Sequence, residues 1–191
     1  LVVSDHQNDN GRLNVEDCKK AARFVRLCDC YSLPVISLVN ADGIAVPCQC
    51  KQGDMIRAAA ELGYAYAAHI MTGISGKGRA EENARALAQF INRTKPRSIT
   101  NFSVFLHRRA PLWKEIESGR FAPADEVENL REELLLLSLL DVDGLEYDGF
   151  HDIIEFRVRG SLPRDREKML AKLDKEIKER ENLPPVYAFV E

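Results

Sequence analysis

The sequence predicts an α/β chain, and two observations carry that prediction. Apolar runs of strand length, Val35 to Val39, His69 to Ile74 and Ile99 to Leu106, alternate with segments whose apolar residues recur three and four positions apart. Pro34, Pro96 and the glycines Gly73, Gly76 and Gly78 fall between those segments, where turns belong. Strand and helix in alternation imply a parallel sheet with helical crossovers.

In chain order, a short apolar start, Leu1 to Val3, leads into a polar loop over Asp5 to Asn10. Asn14 caps a helix with Cys18, Ala21, Ala22, Val25 and Cys28 on one face. After the strand ending at Val39, a loop to Gln52 precedes a second helix with Met55, Ile56, Ala59 and Leu62 inward. The strand from His69 runs into the glycine turn. A third helix then puts Ala84, Leu87, Ala88 and Ile91 on one face and stops before Pro96.

Beyond Leu106 a short helix is expected near Pro111 to Ser118 and a longer one near Asp125 to Leu140. Asp141 to Gly144 reads as a turn and Ile153 to Val158 as a strand. Arg164 to Arg180 reads as a charged helix with Met169, Leu170, Leu173 and Ile177 inward. Character changes most sharply after Asp141, and no internal repeat is present.

With 191 residues, 45% of them hydrophobic and 30% charged, the chain can bury a core in one or two domains. The formal net charge of -3 gives no global field for nucleic acid. The longest apolar run, Leu134 to Leu140, is too short for a membrane helix, so no membrane partner is expected. Five cysteines at uneven spacing argue against a secreted disulfide framework, and cytoplasmic localisation is the default. Beginning at Leu1 with no signal-type segment, the chain reads as an excised piece.

Residues 11 to about 67 resemble the C-terminal domain of biotin-dependent acyl-CoA carboxyltransferases and the related decarboxylase subunits. The helix from Gly11 to Cys30 matches their "KAARFIRFCDAF", Leu33 to Val39 their "IPxxxLVD" strand, and Gly53 to Ala67 their "GGIIRHGAKLLYAYA" helix. The resemblance implies a crotonase-like fold in which backbone N–H groups stabilise an enolate oxygen of an acyl-CoA. The residues matching that turn are Gly43, Ile44 and Gly53. Ala41-Asp42-Gly43-Ile44 replaces the family's Pro-Gly-Phe, and Lys51-Gln52-Gly53-Asp54 replaces Gln-Glu-x-Gly-Gly. The family completes its site across a dimer with an N-terminal domain.

From about residue 68 the chain resembles radical SAM enzymes. His69 to Pro96 follows their strand, glycine turn and helix; Ala110 to Phe121 is similar to "GTPLYxEIExGxF", and Arg159 to Leu170 to "GxLPxDKEKLL". The resemblance implies half of a partial (β/α) barrel. Its S-adenosylmethionine-side residues would be Gly73, Ser75, Gly76, Lys77, Gly78 and His107. Cysteines at 18, 28, 30, 48 and 50 do not form the C-x3-C-x2-C triplet, so an iron–sulfur cluster is not supported.

Other motifs weigh less. Cys28-Asp-Cys30 with Cys48-Gln-Cys50 offers four thiolates for zinc, but one-residue spacers favour free cysteines and no metal site is expected. His107-Arg108-Arg109 with Lys77 and Arg79 offers a small anion site or a solvated basic turn. His69 reads as a core or strand-edge histidine, Tyr64 and Tyr66 as packing residues, and Asp141 to Gly144 as a turn matching half a calcium loop. His151, flanked by Asp148 and Asp152, has carboxylates near it in sequence but no nucleophile.

Taken together, the sequence reads as a chimera: a carboxyltransferase-like segment over 1–67 and a radical-SAM-like partial barrel over 68–191, non-catalytic alone. Two alternatives stay open, an acyl-CoA carboxyltransferase fragment and a non-enzymatic interaction module built on Leu134 to Leu140. Cofactor expectations are S-adenosylmethionine or acyl-CoA. The partners are a small-molecule ligand, the missing N-terminal domains of either parent family, or a second copy in an oligomer.

Overall fold

A computed structural model of the chain describes residues 15–31 and 66–190. The chain divides into two compact units, Leu1–Ala65 and Tyr66–Glu191. In the first unit, helix α1 spans Val15–Cys30 and buries Ala22 and Cys28. These are two of the face residues its three-and-four spacing predicts. The expected strand at Val35 to Val39, the second helix, and Gly43, Ile44 and Gly53 lie outside the described residues.

The second unit contains strands β1 (Ala67–Thr72), β2 (Ser98–Ser103), β3 (Leu106–His107), β4 (Leu145–His151), β5 (Phe156–Leu162) and β6 (Phe189–Val190). Its helices are α2 (Ala80–Thr94), α3 (Pro111–Glu117), α4 (Glu126–Leu139) and α5 (Arg166–Arg180). The main sheet has the order β1-β2-β4-β5, and β3 pairs with β6 separately. β1, β2 and β4 run parallel, joined through α2 and α4, while β5 returns antiparallel to β4. The fold is mixed α/β around a mainly parallel sheet. The described strands form an open sheet rather than a closed barrel.

Two expected elements are corrected. Ile153 to Val158 is not one strand: Asp152–Ile154 is a single 3-10 turn, with Glu155 left-handed at φ 53, and it links β4 to β5. Leu145–His151, to which the sequence assigns no element, is a strand with alternating burial. The apolar run of Ile99 to Leu106 ends as β2 at Ser103, and the chain turns before β3.

The core lies between the sheet and α2, α4 and α5. Ala84, Ala88 and Ile91 of α2, Leu130, Leu136 and Leu137 of α4, and Met169, Leu173 and Ile177 of α5 meet Ile99, Leu145, Tyr147, Val158 and Leu162 of the strands. Asp125 caps α4, its carboxylate accepting the Glu128 N–H at 2.9 Å. Lys95, left-handed at φ 46, ends α2.

The opposite face of the sheet carries stacked rings. His69 stacks on Phe102 with centroids 6.3 Å apart, Phe102 stacks on Phe150 at 5.5 Å, and the Arg157 guanidinium lies 4.2 Å from the Phe150 ring. His69 is therefore an exposed strand residue rather than a core one.

Candidate functional site

Along β2 and β4 the side chains facing the helices change from apolar to polar as the strands advance: Ile99, Asn101, Ser103 on one, Leu145, Tyr147, Gly149, His151 on the other. The carboxyl ends of parallel strands are where α/β folds place their ligands. The start of α4 meets this end of the sheet and directs Glu126, Asn129 and Glu133, one polar stripe at helical spacing, into it.

The result is a buried polar cluster centred on His151. Its Nδ1 lies 2.8 Å from Glu126 Oε2 and its Nε2 2.8 Å from Glu133 Oε2, with all three residues almost fully enclosed. Burial disfavours a charged imidazole, but the hydrogen bonds to the two carboxylates and their charges outweigh it and hold His151 up to about 9. A doubly protonated ring donates from both nitrogens and satisfies both carboxylates.

The remaining carboxylate oxygens are also filled, whereas the buried Asn101 and Asn129 amide oxygens find no partner among the described residues. Glu126 Oε2 accepts the Ser103 hydroxyl at 2.9 Å and Glu126 Oε1 the Asn129 amide at 3.1 Å. Glu133 Oε1 accepts the Tyr147 hydroxyl at 2.8 Å and the Asn101 amide at 3.2 Å. Burial and the Glu133 charge push the Tyr147 phenol well above its ordinary value. Gly149 makes room for this carboxylate, since a Cβ there would lie 1.9 Å from Glu133 Oε1.

Ser103, His151 and Glu126 have the residue types of a hydrolytic triad but not its geometry. Ser103 Oγ and Glu126 Oε2 sit at the same imidazole nitrogen, 3.0 and 2.8 Å away, while the other nitrogen is committed to Glu133. The ring has no lone pair with which to activate the hydroxyl, so the cluster braces the fold instead of generating a nucleophile.

The expected glycine turn, Gly73 to Gly78, follows β1 at the same end of the sheet. Its three glycines have φ values of 79, 81 and 79, so their backbone needs the left-handed region. The N–H groups are consumed within the protein. Gly73 donates to Glu132 Oε2 at 3.1 Å, Gly76 to the Gly73 carbonyl at 3.0 Å, Lys77 to the Ala122 carbonyl at 2.8 Å, and Gly78 to Glu128. Glu132 also accepts the Asn83 amide at 2.6 Å; burial raises its pKa and these hydrogen bonds oppose the rise.

His107 lies elsewhere, in β3, in an open cleft of about 580 Å³ lined by His107, Arg108, Arg109, Trp113, Phe189 and Val190. Lys77 and Gly78 line a different cleft with Glu128 and Arg131, so the six expected cofactor-side residues do not converge on one cavity. Arg79 pairs with Glu82 at 2.9 Å and does not join Arg108 and Arg109 in an anion site. Cys28 is buried and Cys30 exposed, while Cys48 and Cys50 lie outside the described residues. Among the described residues there is no cluster of metal-ligating side chains, and no helix is long and apolar enough to cross a membrane.

The Glu126–Glu133 stripe escapes a sequence reading because its partners lie 18 and 25 residues away on β4. One signal is present: Glu126, Asn129 and Glu133 recur at three and four, a polar face on a helix otherwise rich in leucine.

Residues 2–75 match the family model of the carboxyl transferase domain. The chain is 41% identical over 66 residues to a biotin-dependent acetyl-/propionyl-coenzyme A carboxylase beta5 subunit of Mycobacterium tuberculosis, covering 35% of this chain and 12% of that protein. It is 42% identical over 67 residues to the propionyl-CoA carboxylase beta chain of Saccharopolyspora erythraea, again 35% of this chain and 12% of the relative. A carboxyltransferase subunit of Haloferax mediterranei propionyl-CoA carboxylase is 33% identical over 66 residues, 35% of this chain and 13% of its own length. The chain thus spans only about an eighth of these relatives. No solved structure matches it.

Proposed function

We propose that the first 67 residues are an acyl-CoA carboxyltransferase segment that contributes part of an acyl-CoA surface and needs further domains or a second subunit to work. The carboxyl transferase domain match over residues 2–75 is the observation that carries this reading. In it, Gly43, Ile44 and Gly53 supply backbone N–H groups toward the thioester oxygen, where negative charge develops when the α-carbon is deprotonated. The ligand is acyl-CoA, the segment acts as part of an oligomer, and its setting is the cytoplasm.

A melt of the full chain with and without propionyl-CoA tests the reading. Binding at a hundred times the dissociation constant adds about 2.7 kcal/mol to the native state, a shift of several degrees. A Gly43→Val chain that keeps its unliganded melting temperature but loses the shift supports the assignment. A melt indifferent to propionyl-CoA at millimolar concentration contradicts it.

The face of the main sheet that no described element of the second unit packs against, with the His69, Phe102 and Phe150 rings stacked across three parallel strands, favours a second reading for residues 68–191. A barrel fills the inner face of its sheet with side chains from all its strands, and a sheet face lined by rings from three adjacent strands suits a piece of such a barrel. On this reading the second unit is a radical-SAM-like half barrel, inactive alone, with S-adenosylmethionine approaching Gly73, Ser75, Gly76, Lys77, Gly78 and His107. The ligand would have to displace Glu128 and Glu132 from the turn. A melt raised by S-adenosylmethionine supports it, and an unmoved melt removes it.

A further inference from the structure

The cleft beside the β3–β6 pair combines three features that no other described cleft brings together. His107 Nδ1 accepts the Arg109 N–H at 2.9 Å, which fixes the tautomer and leaves Nε2–H as a donor. Arg108 and Arg109 are exposed and have no carboxylate partner among the described residues, although the chain as a whole is acidic. Two exposed guanidinium groups with no carboxylate partner among the described residues, beside a fixed N–H donor, form a local positive site suited to a phosphate, whose oxygens match the arginine fork.

The third feature is aromatic. Trp113 is held by its Nε1–H, which donates to Glu117 at 2.8 Å, and it meets the Phe189 ring edge-on with centroids 5.9 Å apart. Phe189 and Val190 are 50% and 42% exposed, an apolar wall beside the basic one. Arg108 lies 5.9 Å from the centroid of the Trp113 ring. A ligand covering both walls carries an anionic group at one end and a flat apolar ring at the other. The cleft of about 580 Å³ falls in the range of small-molecule sites.

We propose that this cleft binds a nucleoside monophosphate, with the phosphate on Arg109 and His107 Nε2–H and the base against Trp113 and Phe189. The inference does not depend on the acyl-CoA reading of the first unit; because coenzyme A itself carries an adenosine nucleotide, Trp113 emission and Arg109→Gln, which report on this cleft, keep the two tests separate. Trp113 is the single tryptophan of the chain, so its fluorescence reports on this cleft alone.

The experiment is a titration of the full chain with AMP, adenosine and inorganic phosphate, read by Trp113 emission and checked by calorimetry. The expected result is a saturable AMP response at least about tenfold tighter than either adenosine or phosphate, because each supplies only one of the two contacts. Arg109→Gln should weaken AMP about tenfold or more at an unchanged melting temperature, with Arg109→Lys losing less. Four results overturn the proposal: no saturable response, phosphate binding as tightly as AMP, adenosine binding as tightly as AMP, or Arg109→Gln binding AMP like the parent chain.

Discussion

The turns after β1 and β3 leave strands of two separate sheets, and they have opposite fates. The first is rich in glycine and reads as a ligand cradle, but Glu128 and Glu132 of α4 occupy its Gly78 and Gly73 N–H groups. The second has no glycine, and its Arg108 and Arg109 side chains are open to solvent. Left-handed glycines shape a turn whose N–H groups point inward, and here those of Gly73 and Gly78 meet carboxylates of the protein itself. Free donors, rather than glycine spacing, distinguish a turn that can bind from one that closes the fold.

The closed turn depends on α4 being held in place, and the sharpest way to break it is through the His151 cluster. Glu133→Ala strips His151, Tyr147 and Asn101 of a shared acceptor in a site without water access and should cost about 3–5 kcal/mol in urea unfolding. A full replacement by well-packed apolar residues should cost less, because no unpaired charge is left behind.

Stability should also fall with rising pH. His151 is held up to about 9 in the folded chain against an ordinary value near 6.5. Its contribution is therefore complete below about pH 6.5 and is lost as pH rises through about 9, with an upper bound on the order of 3 kcal/mol. Urea midpoints at pH 6.5, 8 and 9.5 check the slope, which His151→Gln should flatten.

Two alanine substitutions in the glycine turn sharpen the contrast between contact and conformation. Gly73→Ala adds a Cβ 2.4 Å from Asn129 Oδ1 at φ +79 and should cost about 2–3 kcal/mol. Gly78→Ala meets nothing within 4 Å and should lose only the left-handed conformational term, about 1 kcal/mol. At the open turn, Arg109→Gln should leave stability within about 0.5 kcal/mol, as a solvated side chain with no partner among the described residues contributes little.

Much of this fold is legible from periodicity. The apolar faces of α2 and α5 follow from residues three and four apart, and α4 begins at Glu126, one residue after the expected start at Asp125, which caps it. β4 is harder, because Asp148 and Gly149 imitate a turn. In the fold, Gly149 vacates space for Glu133, and Asp148 faces outward to pair with Arg157 at 2.6 Å. The buried cluster is illegible for a different reason: charged residues are read as solvated until their partners are known, and those partners come from strands distant in the chain. His107 can be read as a site residue from its place after a strand, but the Trp113 and Phe189 walls depend on β3 pairing with β6, some 80 residues downstream.

The central claim is that a protonated His151 ties α4 to β4 and so closes the turn after β1. The most direct measurement follows the imidazole nitrogens of the four histidines by NMR in the full chain, with His151→Gln for assignment. The account predicts one ring that keeps both nitrogens protonated at pH 8 and titrates near 9. A His151 ring that is already neutral at pH 7.5 would contradict it.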